Sequence, residues 1–181
     1  MSVALHVERV GTVDAELLEG LAALLVDAVD GGASIGFHAP LPHRAALACA
    51  RQVGAALDAD NALWVARDDG GRIVGTVQMQ RAMQENGRHR AEVCKLMVLR
   101  DARRGRIASQ LMAALEAHAT TIGLALLVLD TQAQSPAEAF YLGQGWQRAG
   151  EIPAYASSAS GALHATALYF KRVEPDSSQR S

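Results

Sequence analysis

The residues with the most chemical content lie together in one stretch, Glu92-Val93-Cys94-Lys95-Leu96-Met97-Val98-Leu99-Arg100-Asp101-Ala102-Arg103-Arg104-Gly105-Arg106-Ile107-Ala108. It reads as an apolar strand, an arginine-dense turn and the start of an amphipathic helix. Four arginines fall between positions 100 and 106, and no acid follows Asp101 until Glu116. A helix N-terminus presents unpaired N–H groups and partial positive charge. Arginines and small residues added there suit a phosphate or pyrophosphate. Glu92, on the incoming strand, supplies a titratable carboxyl close to that site. The chemistry implied is work on a small ligand carried by a phosphate-bearing cofactor.

The elements that must position these groups can be read from periodicity and turn residues. Leu5 to Val10 is a strand candidate. Thr12 or Asp14 can cap a helix with the stripe Leu17, Leu21, Leu24, Leu25 and Ala28, ended by Gly31. The glycine-rich stretch 31–37 is a loop, and Pro42 can open a second helix with Ala46, Ala50, Val53 and Leu57 on one face. Strands are expected over Leu63 to Arg67 and Arg72 to Gln80, around the turn Asp68-Asp69-Gly70-Gly71. Ala91 to Leu99 is the next strand. A helix from about Gly105 carries Ile107, Leu111, Leu115 and Ile122 and ends at Gly123. Ala125 to Leu129 has the apolar run of a central strand buried on both faces, and it ends at Asp130-Thr131. Ser135-Pro136-Ala137-Glu138 reads as a capping box opening a short helix with Phe140 and Tyr141. Trp146 to Ile152 and His164 to Val173 close the chain as strands. The order predicts a mixed α/β sandwich rather than a regular alternating parallel fold.

Size and composition narrow the function further. The 181 residues suit one domain over 1–173, followed by a polar tail, 174–181, that is expected to fray. Half the residues are hydrophobic and the net charge is −2. That balance gives no general attraction to nucleic acid or to an anionic membrane. Cys49 and Cys94 lack metal-ligand spacing. With no secretory signal at the N-terminus, they suit reduced thiols in the cytoplasm. No metal site is expected.

The element order and its motifs resemble the GCN5-related N-acetyltransferase (GNAT) superfamily over nearly the whole chain. The family's phosphate loop, Gln/Arg-x-x-Gly-x-Gly/Ala, is matched by Arg103-Arg104-Gly105-Arg106-Ile107-Ala108. Arg106 stands where the family usually has glycine, with a glycine displaced to position 105. Phe140-Tyr141 and Gly145-Trp146 match a second signature on the short helix, and Gln134 replaces an asparagine common before it. Within the superfamily the chain is similar to tabtoxin-resistance-type acetyltransferases, which acetylate a β-lactam toxin. The segments that carry this likeness are 31–37, 90–93, 95–99, 137–141, 164–167 and 169–171.

The resemblance implies a mixed, mostly antiparallel sheet with helices on both faces, and transfer of acetyl from acetyl-CoA to a primary amine of a small molecule. A homodimer is compatible with it. It implies pyrophosphate binding over Arg103, Arg104, Gly105, Arg106, Ile107, Ala108 and Ser109, with Gln134 nearby. Backbone groups of Leu96, Met97 and Val98 would meet the pantetheine. Glu92 is then the candidate base, Asp130 its assistant and Tyr141 the acid for the departing thiolate. Ser34, Phe37 and His164 are candidates for the acceptor pocket.

Each assignment has a plainer rival. Glu92 can be a solvated strand residue, Asp130 a turn acceptor, Tyr141 and Trp64 core, His164 an ordinary strand histidine, and Cys94 a small buried hydrophobe. Two other functions compete. One is a CoA-binding regulator without catalysis. The other is a serine hydrolase, since Gly32-Ala33-Ser34-Ile35-Gly36 matches Gly-x-Ser-x-Gly, with Asp130 and His164 following in order. That reading needs a strand before Ser34 and a helix directly after it.

Overall fold

The structure is a computed structural model that describes residues 5–103, 105–158 and 160–173. Arg104 and the polar tail 174–181 lie outside the described residues. The elements are β1 (His6–Arg9), α1 (Ala15–Asp30), α2 (His43–Ala56), β2 (Asn61–Arg67), β3 (Ile73–Arg81), β4 (Arg90–Val98), α3 (Ile107–Thr121), β5 (Leu126–Gln132), α4 (Pro136–Gly143), β6 (Gln147–Ser157) and β7 (Leu163–Arg172). The seven strands form one sheet in the order β1-β2-β3-β4-β5-β7-β6. Among the described strands only the β4–β5 pair is parallel. The expected mixed, mostly antiparallel sheet with helices on both faces is what the chain forms.

Strand alternation divides the core in two. Ala62, Trp64 and Ala66 of β2, with Val77 and Met79 of β3, pack beneath Leu111 and Leu115 of α3. Leu63 and Val65 point to the opposite face, where Leu17, Leu21, Leu24 and Leu25 of α1 and Ala46 and Ala50 of α2 cover them. Asp14 caps α1, its Oδ1 accepting from Leu17 N–H at 2.8 Å. Pro42 stands at the start of α2, as expected from its fixed φ and missing N–H.

Three local expectations are revised. The β5 run is buried on one face only. Leu127 and Leu129 enter the core, while Leu126 and Val128 are half-buried because α1 covers β3 and β4 and stops short of β5. The capping box before α4 is replaced by another arrangement. Ser135 Oγ donates to Gln132 O instead of capping. Glu138 accepts from the Gln134 N–H, from the Tyr169 hydroxyl at 2.6 Å and from Arg148. These donors, the Tyr169 hydroxyl foremost, hold the Glu138 carboxyl below its usual range. The third revision concerns β6, which runs five residues past Ile152 to Ser157 and is bent by a bulge between Ile152 and Ala156.

Candidate active site

The site is built on an opening in the sheet. β4 and β5 pair only over Arg90–Glu92 and Leu126–Val128. Beyond Glu92 the two strands have no ladder contacts, although each stays paired to its outer neighbour. A bulge on β4 accompanies the separation: Thr76 faces Met97, but Gln78 already faces Cys94. One extra residue is accommodated there, with Lys95 at φ +51. Leu99 N–H donates to Val74 O at 2.9 Å. Alternation then turns Met97 toward β3 and leaves the backbone groups of Leu96 and Val98 facing the gap. Met97 itself is 7% exposed, with its side chain in the core beneath α1, so of the three candidate backbone donors only Leu96 and Val98 face the opening.

Acids lie on one side of this gap and a phenol on the other. Ala91 and Val93 point into the α3 core, so Glu92 takes the opposite face and is exposed. Val128 is its partner on β5, and Asp130, two residues on, shares that face. Thr166 Oγ1 lies 3.0 Å from both Asp130 Oδ2 and Thr131 O, so its one proton is shared between these two acceptors. Tyr141 approaches from beneath, on α4, within the core of Trp146 and Tyr169. It is 8% exposed. Burial, followed by the charge of Asp130 and the nearby Cys94, pushes its pKa up to about 12. The phenol therefore keeps its proton through neutral and alkaline pH and is able to donate it.

Cys94 sits between these groups. Burial first, then Glu92 and Asp130, pushes its thiol up to about 11. A protonated thiol is a poor nucleophile, so Cys94 is unsuited to carry an acyl group at neutral pH. Cys94→Ala is expected to retain most activity in a steady-state assay; a loss comparable to that of removing Glu92 would contradict this.

At the end of β4 the chain forms the basic turn. Arg100 is held against α1, its backbone N–H and Nε both donating to Asp27 at 2.9 Å. Among the described residues Arg103 and Arg106 have no ion pair, and both are exposed. Arg106 precedes α3 at φ +57, ψ +18, so the left-handed position is Arg106, and the displaced Gly105 does not occupy it. A non-glycine residue in that region costs about 1–2 kcal/mol. The first helical N–H groups, on Ile107, Ala108 and Ser109, have no partner within the helix and open toward the turn. Ile107 contributes only its backbone, since its side chain is buried against Gly75. Gln134 is exposed at φ +60 in the turn between β5 and α4, with its N–H held by Glu138.

The loop between α1 and α2 walls the acidic face. A cavity of about 410 Å³ lies between α2, this loop and strands β2 to β4, with Phe37, Gln52, Gln78, Gln80 and Lys95 among its lining residues. Gln80 is the cross-strand partner of Glu92, so the cavity lies one strand away from that carboxylate, though neither Glu92 nor Asp130 lines it. Phe37 lines it and Ser34 does not. His164 is on the open face of β7 at the far end of the β6–β7 hairpin, paired with Ala156. Close by, His38 Nε2 and Ser157 Oγ are 2.6 Å apart and tie the loop to the hairpin. Sequence reading singled out neither His38 nor Ser157, because 119 residues separate them. Ser34 is not on a nucleophile elbow: α1 precedes it and an irregular loop follows, which removes the context a serine hydrolase needs.

Among the described residues no group of three or more metal-ligating side chains is present. None of the described helices is long and apolar enough to cross a membrane.

Residues 22–146 match the acetyltransferase (GNAT) family. Among solved structures, an N-acetyltransferase from Staphylococcus aureus Mu50 superposes with a TM-score of 0.77 at 17% identity, covering 94% of this chain and 99% of that one. A GNAT superfamily phosphinothricin acetyltransferase from Sinorhizobium meliloti, in complex with AcCoA, gives 0.76 at 16% identity, covering 99% and 93%. A ribosomal-protein-alanine N-acetyltransferase from Brucella melitensis gives 0.74 at 21% identity, covering 91% and 99%. At these identities the likeness speaks for the fold, while the family match spans more than half of the sequence. The opened β4–β5 pair, the basic turn before α3 and the paired acids thus belong to a chain of the GNAT acetyltransferase family.

Proposed function

We propose that residues 1–173 act as one catalytic domain that moves an acetyl group from acetyl-CoA to the primary amine of a small molecule. An amino-acid-like compound or a β-lactam-type toxin is the class of acceptor. The observation that carries this reading is the gap between β4 and β5, with Glu92 and Asp130 on one face, Tyr141 on the other and a 410 Å³ cavity alongside. That volume lies in the range of small-molecule sites.

The residues present fit the cosubstrate. Arg103, Arg106 and the N–H groups of Ile107, Ala108 and Ser109 would hold its pyrophosphate, and the β4 backbone at Leu96 and Val98 its pantetheine arm. When bound, acetyl-CoA supplies a thioester carbonyl open to attack and a thiolate leaving group. A typical amine has a pKa of about 8–10 and is mostly protonated at neutral pH. Glu92 takes that proton, through a water where the distance requires it, and Asp130 adds negative charge beside the ammonium. Donors on the β4 edge stabilise charge developing on the carbonyl oxygen. Tyr141 returns a proton to sulfur.

Tyr141→Phe is expected to lower kcat by about 10-fold, a small loss for a general acid because a thiol with a pKa of ~8.5 leaves readily. The wild-type kcat should show no falling limb below pH 10 attributable to this phenol, since its proton is retained to about pH 12. A fall centred near pH 8, abolished by Tyr141→Phe, would contradict the raised pKa, and an unchanged kcat in Tyr141→Phe would contradict the role.

The reading is tested by thiol release from acetyl-CoA with a panel of amino acids, polyamines, aminoglycosides and β-lactam amines against protein N-terminal peptides. Amine-dependent release with small acceptors is expected. Efficient acetylation of peptides with none of the small amines would overturn it.

A further inference from the structure

Lys95 and Gln78 form a polar pair in the cavity that the catalytic scheme does not use. Lys95 occupies the β4 bulge, and its side chain turns toward the α1–α2 loop. Its Nζ donates to Ile35 O at 3.3 Å and lies 6.0 Å from the Phe37 ring centroid. Among the described residues no carboxylate lies within ion-pair distance of it. Gln78, beside it on β3 opposite Cys94, is only 7% exposed. Its side-chain amide has no hydrogen-bond partner among the described residues and lines both the main cavity and its narrow extension toward Leu21 and Leu25. The bulge adds strain, because lysine there holds a conformation that glycine adopts more easily. A cation without a carboxylate partner and an amide without a protein partner, both facing one cavity, are what a ligand carboxylate would satisfy, one oxygen to each.

We infer that the cavity binds an acceptor bearing a carboxylate as well as the reacting amine, with Lys95 and Gln78 holding the carboxylate and the amine directed to Glu92. Lys95 and Glu92 are three positions apart on β4, and the bulge between them lets both side chains lie on the face away from α3. Their long side chains can converge on the two ends of a small amino acid. The extended amides of Gln52 and Gln80 line the same cavity, which suits a polar body between those ends. Positively charged acceptors such as polyamines would meet the Lys95 ammonium unpaired and are disfavoured.

This inference rests on the proposed acetyl transfer to small amines, and the test separates the two. Standard α-amino acids, their carboxamides and the matching amines without a carboxyl are compared as acceptors in the wild-type enzyme, Lys95→Met, Lys95→Arg and Gln78→Leu. The wild type is expected to favour the best acid over its amide by about 10-fold or more in kcat/KM, the contribution of a charge-assisted hydrogen bond. Lys95→Met should raise KM for the acid by a similar factor, with kcat and the amide parameters little changed. Lys95→Arg should restore part of the preference, and Gln78→Leu should weaken it less than Lys95→Met does. In a melting assay without acetyl-CoA, the preferred acid should stabilise the wild type and not Lys95→Met. Equal use of acids and amides by the wild type would overturn the inference and leave acetyl transfer standing. An equal loss on both acceptor classes in Lys95→Met would overturn it too. Absence of acetylation of any small amine would remove the proposed function and this inference with it.

Discussion

Glu92→Gln is expected to lower kcat by roughly 10²-fold or more at neutral pH, a typical general-base contribution. The substitution keeps the shape of the side chain and the Gln80 and Val128 strand pairings of this position. It removes the acceptor that draws a proton from the ammonium. The defect should shrink as pH rises toward the acceptor's own pKa, where the amine is already neutral and no base is needed. KM for acetyl-CoA should stay near the wild-type value, because the basic turn proposed for the pyrophosphate follows the opposite end of β4. The check is a pH–kcat profile of both proteins with one amine. A uniform loss at every pH would point to altered positioning of the acceptor, and full activity would remove Glu92 from the chemistry.

Arg103→Ala combined with Arg106→Ala is expected to weaken CoA binding by about 10-fold to 100-fold at low ionic strength, the scale of a charge-assisted hydrogen bond to phosphate. Wild-type affinity should fall as salt rises, since exposed charges are screened within about 10 Å at 0.1 M. The double variant should show a shallower dependence. Calorimetry with CoA and with pantetheine, which lacks the pyrophosphate, separates the contributions: the substitutions should matter for the first and not for the second. Arg100→Ala is a useful contrast. Its guanidinium is engaged by Asp27, so its removal is expected to loosen the junction of the turn with α1 without abolishing the CoA contacts.

The sequence pattern made much of this architecture legible because its signals are local. Asp14 before the leucine stripe of α1, Pro42 before α2 and the glycine at position 123 after α3 mark boundaries through capping, fixed φ and left-handed φ. The arginine turn could be placed for the same reason, lying between an apolar strand and an amphipathic helix. What escaped has no local signal. The β4 bulge is centred on Lys95 and the left-handed turn on Arg106, positions where glycine would ordinarily announce such a conformation. The cavity depends on how α2 and the α1–α2 loop lie over β2 to β4, a tertiary relation that periodicity does not encode. The His38–Ser157 contact joins two distant segments. Apolar content alone made β5 read as buried on both faces, although Leu126 and Val128 on one of them are only half-buried.

Direct passage of acetyl to an amine held beside the β4–β5 gap is the centre of this account. The measurement that bears on it most closely is a matrix of initial rates over acetyl-CoA and amine concentrations, paired with the intact mass of the protein after incubation with acetyl-CoA alone. The account predicts intersecting double-reciprocal lines and an unmodified protein mass, since Cys94 stays protonated and both reactants are held on one sheet. Parallel lines together with an acetyl group on Cys94 would contradict it.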